Sequence, residues 1–131
     1  MQMLSETIKT ADWKSEKHVP VIDAPLGIQK GAIATVTVTL GKEVAHPNTS
    51  AHHIAWMALF FQPEGSPVPY EIGRVDFSAH GASAKGADQS SVYTHHEAVM
   101  KFKTDVSGTL MAMSFCNIHG LWQSSKILAV E

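Results

Sequence analysis

Apolar and polar residues alternate in short runs along this chain, and no run keeps a helical period. Residues 33–40 show this most clearly. Val36, Val38 and Leu40 fall on one side and Thr35, Thr37 and Thr39 on the other, the pattern of a half-buried strand. Residues 54–61 are apolar on both sides and predict a central strand covered on both faces. Residues 70–77 predict another strand. Ala98, Met100 and Phe102 alternate with Val99, Lys101 and Lys103, and residues 109–116 and 126–130 predict the last two strands. Pro20 pushes Val19 toward extended geometry, so residues 15–22 predict an extended or looped segment.

Turn chemistry separates these runs. Residues 27–31 predict a turn. Residues 41–51 break the alternation with Pro47, Asn48, Thr49 and Ser50. Residues 62–69 contain Pro63, Pro67, Pro69 and Gly65 and must be a connection. Residues 79–91, rich in Gly, Ala and Ser, predict a long surface loop, and Ser107-Gly108 a turn. About seven short strands with such turns and no internal repeat predict an all-β sandwich. No domain boundary is visible, so residues 1–131 read as one domain, with residues 1–13 as an N-terminal arm or a single helical turn.

Composition narrows the function. The chain of 131 residues is 44% hydrophobic and 17% charged, which suits a globular core rather than disorder. Its formal charge of -2 offers nothing to nucleic acid. An anionic substrate would have to be drawn by local charge. The single cysteine, Cys116, excludes an intramolecular disulfide and fits a reducing compartment. No apolar run approaches membrane-spanning length, and Met1 to Glu6 lack the apolar stretch of a secretion signal. The expectation is a cytoplasmic protein with no membrane partner.

The chemistry gathers around Cys116-Asn117-Ile118-His119-Gly120-Leu121-Trp122. A thiolate is a soft metal ligand and imidazole the commonest nitrogen ligand. Residues three apart in a strand face opposite ways, so Cys116 and His119 can share a centre only across a turn. Asn117 and Gly120 are turn residues. His46 and His52 would lie ~20 Å apart in a straight strand and can meet only through a bent loop. His18 lies in a third segment. Three loops are therefore candidates for one metal site. His53, His80, His95 and His96 read as surface polar residues, with no cysteine or acidic partner at a useful spacing.

Glu16-Lys17-His18-Val19-Pro20, His46-Pro47 with His52 six later, His53-Ile54-Ala55-Trp56 and the Cys116–Trp122 motif, in this order, resemble the neelaredoxin-type superoxide reductases of the desulfoferrodoxin family. The resemblance spans residues 12–131. Some members add a desulforedoxin domain whose second iron needs four cysteines; with one cysteine, this chain resembles the single-iron class.

The resemblance implies an immunoglobulin-like β-sandwich with one mononuclear non-haem iron, cycling between Fe2+ and Fe3+. His18, His46, His52 and His119 would bind in a plane and Cys116 axially. Glu16 would fill the sixth position of the ferric ion, and Lys17 would draw in superoxide. The implied reaction is one-electron reduction of superoxide to hydrogen peroxide. A rubredoxin-like donor would restore the electron, and the protein would be a homo-oligomer, often a tetramer. In an extended segment, Glu16 and His18 share a side and Lys17 points away, so Lys17 needs a local bend to face the site.

Two other readings use the same residues. A cupredoxin-like copper carrier expects an axial methionine after its second ligand, but Met100, Met111 and Met113 all precede Cys116, and two histidines are left over. A structural zinc site has no use for Glu16-Lys17.

Overall fold

The computed structural model describes all 131 residues. One 3-10 turn, Leu4–Glu6, precedes eight strands: β1 (Val21–Asp23), β2 (Gly27–Ile28), β3 (Ala34–Thr39), β4 (Ile54–Pro63), β5 (Tyr70–Asp76), β6 (Glu97–Phe102), β7 (Gly108–Cys116) and β8 (Gly120–Val130). They form a three-stranded sheet, β1-β3-β6, and a five-stranded sheet, β2-β8-β7-β4-β5. No helix is long and apolar enough to cross a membrane.

Strict alternation builds the core. Ala34, Val36 and Val38 of β3 point inward, as do Leu110, Ala112, Ser114 and Cys116 of β7 and Met57, Leu59 and Phe61 of β4. The apolar members of these rows belong to one core cluster of 16 buried residues drawn from both sheets. The outer face of the large sheet carries half-buried Trp56, Phe60, Met111, Met113 and Phe115.

Register decides where the loops go. Val21 of β1 pairs with Thr39 of β3, which pairs with Glu97 of β6. Ile54 of β4 pairs with Cys116 of β7, which pairs with Gly120 of β8, and Trp56 pairs with Asp76 at the end of β5. The segment before β1, the β3–β4 loop, the β5–β6 loop and the β7–β8 turn therefore share one end of the sandwich.

The expected all-β sandwich is present. Two details differ from the pattern reading. Residues 27–31 were expected to be a turn, but Gly27–Ile28 pairs in parallel with Ala129 and Val130, making an eighth strand too short for any periodicity to reveal. The last strand starts at Gly120, six residues before the expected 126. Its alternation is broken because Ser124 and Lys126 bind chain carbonyls instead of entering the apolar core: Ser124 Oγ donates to Pro20 O (2.6 Å) and Lys126 Nζ to Ala24 O (3.1 Å).

Candidate metal centre

The β7–β8 turn is a three-residue connection, Asn117-Ile118-His119, closed by Gly120 at φ +82°. A residue with positive φ is what such a hairpin needs at this point, and glycine adopts it without strain. The turn folds His119 back over Cys116. The His119 N–H donates to Cys116 Sγ (3.4 Å), and His119 Nδ1 lies 3.7 Å from the same sulfur. Cys116 is 1% exposed, whereas His119 is exposed.

Asn117 ties this turn to the β3–β4 loop on both sides of His52. Its Nδ2 donates to Ala51 O (2.9 Å), its Oδ1 accepts from the His53 N–H (2.8 Å), and its own N–H donates to His53 O (3.2 Å). Thr49 closes the loop behind His52, its Oγ1 accepting from the His52 N–H (3.0 Å). Earlier in the loop, Gly41 has φ +70°, and a Cβ there would lie 2.7 Å from the His46 nitrogen. Glycine lets the chain pass close beneath His46.

His18 is held from three directions. Ser114 Oγ donates to its carbonyl (3.1 Å), and Trp122 stacks on its ring with centroids 5.1 Å apart. Glu16 Oε1 accepts from the His18 N–H (3.0 Å) and from its ring Nδ1 (2.6 Å). A carboxylate on the outer nitrogen of an imidazole fixes the tautomer and leaves the other nitrogen as a free lone pair.

The free nitrogens converge. His18 Nε2 lies 3.0 Å from His119 Nδ1, which lies 3.2 Å from His52 Nε2. One ligand atom from each of His18, His52, Cys116 and His119 falls within 4.8 Å of the others. His46 stands beside them, its ring 4.9 Å from that of His18 and 4.8 Å from that of His52. Its Nδ1 donates to Pro47 O (2.6 Å), and its Nε2 is buried with no hydrogen-bond partner.

Burial disfavours the charged form of three of these imidazoles. Burial depresses His46 to about 4 despite the Pro47 bond. Burial also lowers His18, outweighing the opposing pull of Glu16, and burial and His119 lower His52. Burial opposes ionisation of Glu16, but its bonds from His18 prevail and its pKa is lowered.

The donor set fits a cation. His119 Nδ1 carries one proton at most yet faces His18 Nε2, His52 Nε2 and Cys116 Sγ, while the buried His46 Nε2 has nothing to bind. Lone pairs crowded this way repel one another until a metal ion lies among them. Four imidazoles and one thiolate suit a transition metal of borderline softness. The cluster meets solvent at His119, while His18, His46 and Cys116 are buried.

The Desulfoferrodoxin family model matches residues 10–125. The chain belongs to the desulfoferrodoxin family. Within that family it is 49% identical to the neelaredoxin of Megalodesulfovibrio gigas over 128 residues, 98% of each chain. It is also 49% identical to the superoxide reductase of Pyrococcus furiosus over 126 residues, 96% of this chain and 99% of that one. The reduced superoxide reductase (neelaredoxin) of Archaeoglobus fulgidus superposes with a TM-score of 0.89 at 54% identity, covering 95% of this chain and 99% of the other.

Lys17 lies in a bend over residues 17–19 rather than in extended chain. Its charge adds, after burial and the neighbouring imidazoles, to the lowering of both His18 and His52. His95 is exposed, as expected. His80 and His96 are buried at 9% and 8% exposure, a correction to their reading as surface residues. His53 stacks on His80, with centroids 3.5 Å apart. The partners that bury these rings come from distant segments, so spacing along the chain carried no sign of them. Ser114 had a visible signal, as a polar residue in the inward row of β7.

Proposed function

We propose that this chain is a superoxide reductase that holds one iron with His18, His46, His52, His119 and Cys116. The carrying observation is the convergence of lone-pair donors from three loops around His119 Nδ1, whose single possible proton can satisfy only one of them. When bound, the iron supplies the electron that, with two protons, turns superoxide into hydrogen peroxide.

The chain's own residues prepare that transfer. Neutral imidazoles leave the site short of negative charge, so a cation bound there keeps most of its pull on an anion. The Cys116 thiolate is the one anionic donor in the set and pushes electron density toward the metal, as thiolate does in haem enzymes. Glu16 orients His18, and its carboxylate would be the anionic group at hand to bind the metal in its oxidised state. Lys17 attracts the substrate. Exposed His119 leaves the centre open to solvent, where a diatomic anion can reach it and protons can be delivered.

The same reading makes residues 1–131 one catalytic domain, with residues 1–13 as an N-terminal arm. An external rubredoxin-like carrier restores the electron in the cytoplasm. The apolar outer face with Trp56, Phe60 and Phe115 supports a homo-oligomer, a tetramer in this family's manner.

The competing metals fit less well. Met111 and Met113 lie on the outer face of β7, so neither can be the axial methionine of a copper carrier. A closed zinc site takes four protein ligands, whereas five donors gather here. Metal analysis, the visible spectrum of the oxidised protein and its rate with superoxide test the proposal together. One iron per chain, a thiolate-to-iron charge-transfer band and fast reaction of the reduced form are expected. Copper or zinc at full occupancy after expression in iron-replete medium sinks it.

A further inference from the structure

The loop between β5 and β6, residues 77–96, supplies none of the proposed ligands, yet it is fastened to the loop that supplies two of them. Ser50 Oγ donates to His80 O (2.9 Å), the Ser50 N–H donates to Asp88 Oδ1 (2.9 Å), and the Asp88 N–H donates back to Ser50 Oγ (3.1 Å). Asn48 Nδ2 donates to Thr94 O (2.8 Å), while Asn48 Oδ1 lies 3.2 Å from His80 Nδ1. The His80 ring lies flat on that of His53, with 6° between the planes, and Nε2 donates to Phe77 O (2.6 Å). Apart from the bond to Phe77, these contacts fall on residues 48–53, the stretch that joins His46 to His52 and runs into β4.

Asp88 is the only non-glycine residue with positive φ, at 56°. Aspartate tolerates that region better than most residues, and such a conformation persists where the surroundings over-determine it. Here it allows the backbone and the carboxylate of one residue to grip Ser50 at once. A loop that merely joined β5 to β6 would have no need of this.

We propose that the β5–β6 loop is a brace for the metal centre, in which Asp88 and His80 are positioning residues that hold His46 and His52 through Ser50, Asn48 and His53. The inference rests on the iron-binding reading above. Residues outside the ligand set that orient ligands typically change metal affinity by about 10–100-fold when removed. Asp88 acts through one more residue, so the lower end applies.

The test uses the iron-loaded full chain and three variants. Asp88→Asn keeps an acceptor oxygen and the left-handed conformation. Asp88→Gly keeps the conformation and loses the side chain. Asp88→Ala loses both. Iron release to a ferrous chelator, the position of the charge-transfer band and the melting temperature of the metal-free chain are read for each. Asp88→Gly and Asp88→Ala should release iron about tenfold faster and shift the band, while Asp88→Asn should stay close to wild type. Ser50→Ala removes the hydroxyl that joins the Asp88 N–H to His80 O while keeping the Ser50 N–H bond to Asp88; it should also release iron faster than wild type and serves if Asp88→Ala does not fold. Wild-type release and an unshifted band in Asp88→Gly overturn the brace, and so does a lowered melting temperature with both iron readouts unchanged. A wild-type chain that takes up no iron overturns the underlying reading instead, and is seen before any variant is made.

Discussion

The Ser114 hydroxyl, fully buried on the inner face of β7, donates 3.1 Å to the carbonyl of His18. The bond ties the centre of the large sheet to the segment that enters the smaller one. Together with the bond from Ser124 to Pro20 O, it fixes the backbone on which Glu16, Lys17 and His18 are carried.

Ser114→Ala removes the donor and leaves that carbonyl buried without a partner. The expected cost is about 1–3 kcal/mol of folding stability, measured by denaturant unfolding of the metal-free protein. Iron should also be lost faster to a chelator, because His18 loses its anchor. If Ser114→Ala unfolds at the wild-type midpoint, the carbonyl has found another donor and the anchoring argument fails.

Ser114 also shows what could be read from the chain before its structure. The alternation of residues 109–116 placed Ser114 in the inward row, and its polarity there was a visible anomaly. Cys116 and His119 could be brought together on paper, because a turn is the only way three-residue spacing shares a face. His46 and His52 required only that their loop bend. The strands themselves followed from period-2 alternation wherever the inward row was apolar. It failed in β8, where Ser124 and Lys126 point at carbonyls of another segment. His80 and His96 were misread for the same reason: what buries them lies far away in sequence. The bend that turns Lys17 toward His18 and His52 has no local signature beyond the nearby proline.

Glu16 has one partner in this structure, His18, and a second in the proposed function, the oxidised metal. In this structure its carboxylate accepts from the backbone and ring of His18, and those bonds hold it ionised. Glu16→Ala should free a position on the oxidised metal, so that added azide or cyanide changes the ferric spectrum at concentrations that leave wild type unaltered. Glu16→Gln keeps a hydrogen-bond acceptor for His18 but no charge, and should hold iron better than Glu16→Ala. The reaction of either reduced variant with superoxide should remain fast. An anion titration indistinguishable from wild type would falsify the sixth-ligand role.

The metal-free protein should lose stability as the pH falls below 6.5. His46 has its folded pKa lowered to about 4 from an ordinary 6.5, by burial first. Between these values the unfolded chain binds a proton that the folded chain rejects, so acid favours unfolding. Stability is fully present above pH 6.5 and declines until about pH 4, by roughly 3 kcal/mol for this group. His18, His52, His80 and His96 are lowered as well, burial being the largest cause for each, and act in the same direction. Urea midpoints at pH 7.5, 5.5 and 4.5 check this. His46→Gln should flatten the dependence, and a wild-type midpoint constant across the range contradicts the buried, neutral state of His46.

Lys17 carries the last prediction. The chain is net negative and its proposed substrate is an anion, so attraction has to be local. Lys17 is half-buried beside the centre, and its charge is felt by both His18 and His52. No carboxylate lies within ion-pair distance of it; Glu16 bonds to His18 instead, and Asp76 pairs with Arg74. An exposed charge acts over a Debye length of about 8 Å at physiological ionic strength, and steering of this kind can raise an association rate about tenfold or more. Lys17→Ala should therefore slow the second-order reaction of the reduced protein with superoxide by about tenfold at low salt. The difference should shrink as salt is added, while metal content and the ferric band stay unchanged. Lys17→Arg keeps the charge and should recover most of the rate. Pulse radiolysis over a salt series on the three proteins decides the matter. Equal rates and equal salt slopes would place the attracting charge on the metal centre alone and leave Lys17 as an ordinary solvated lysine.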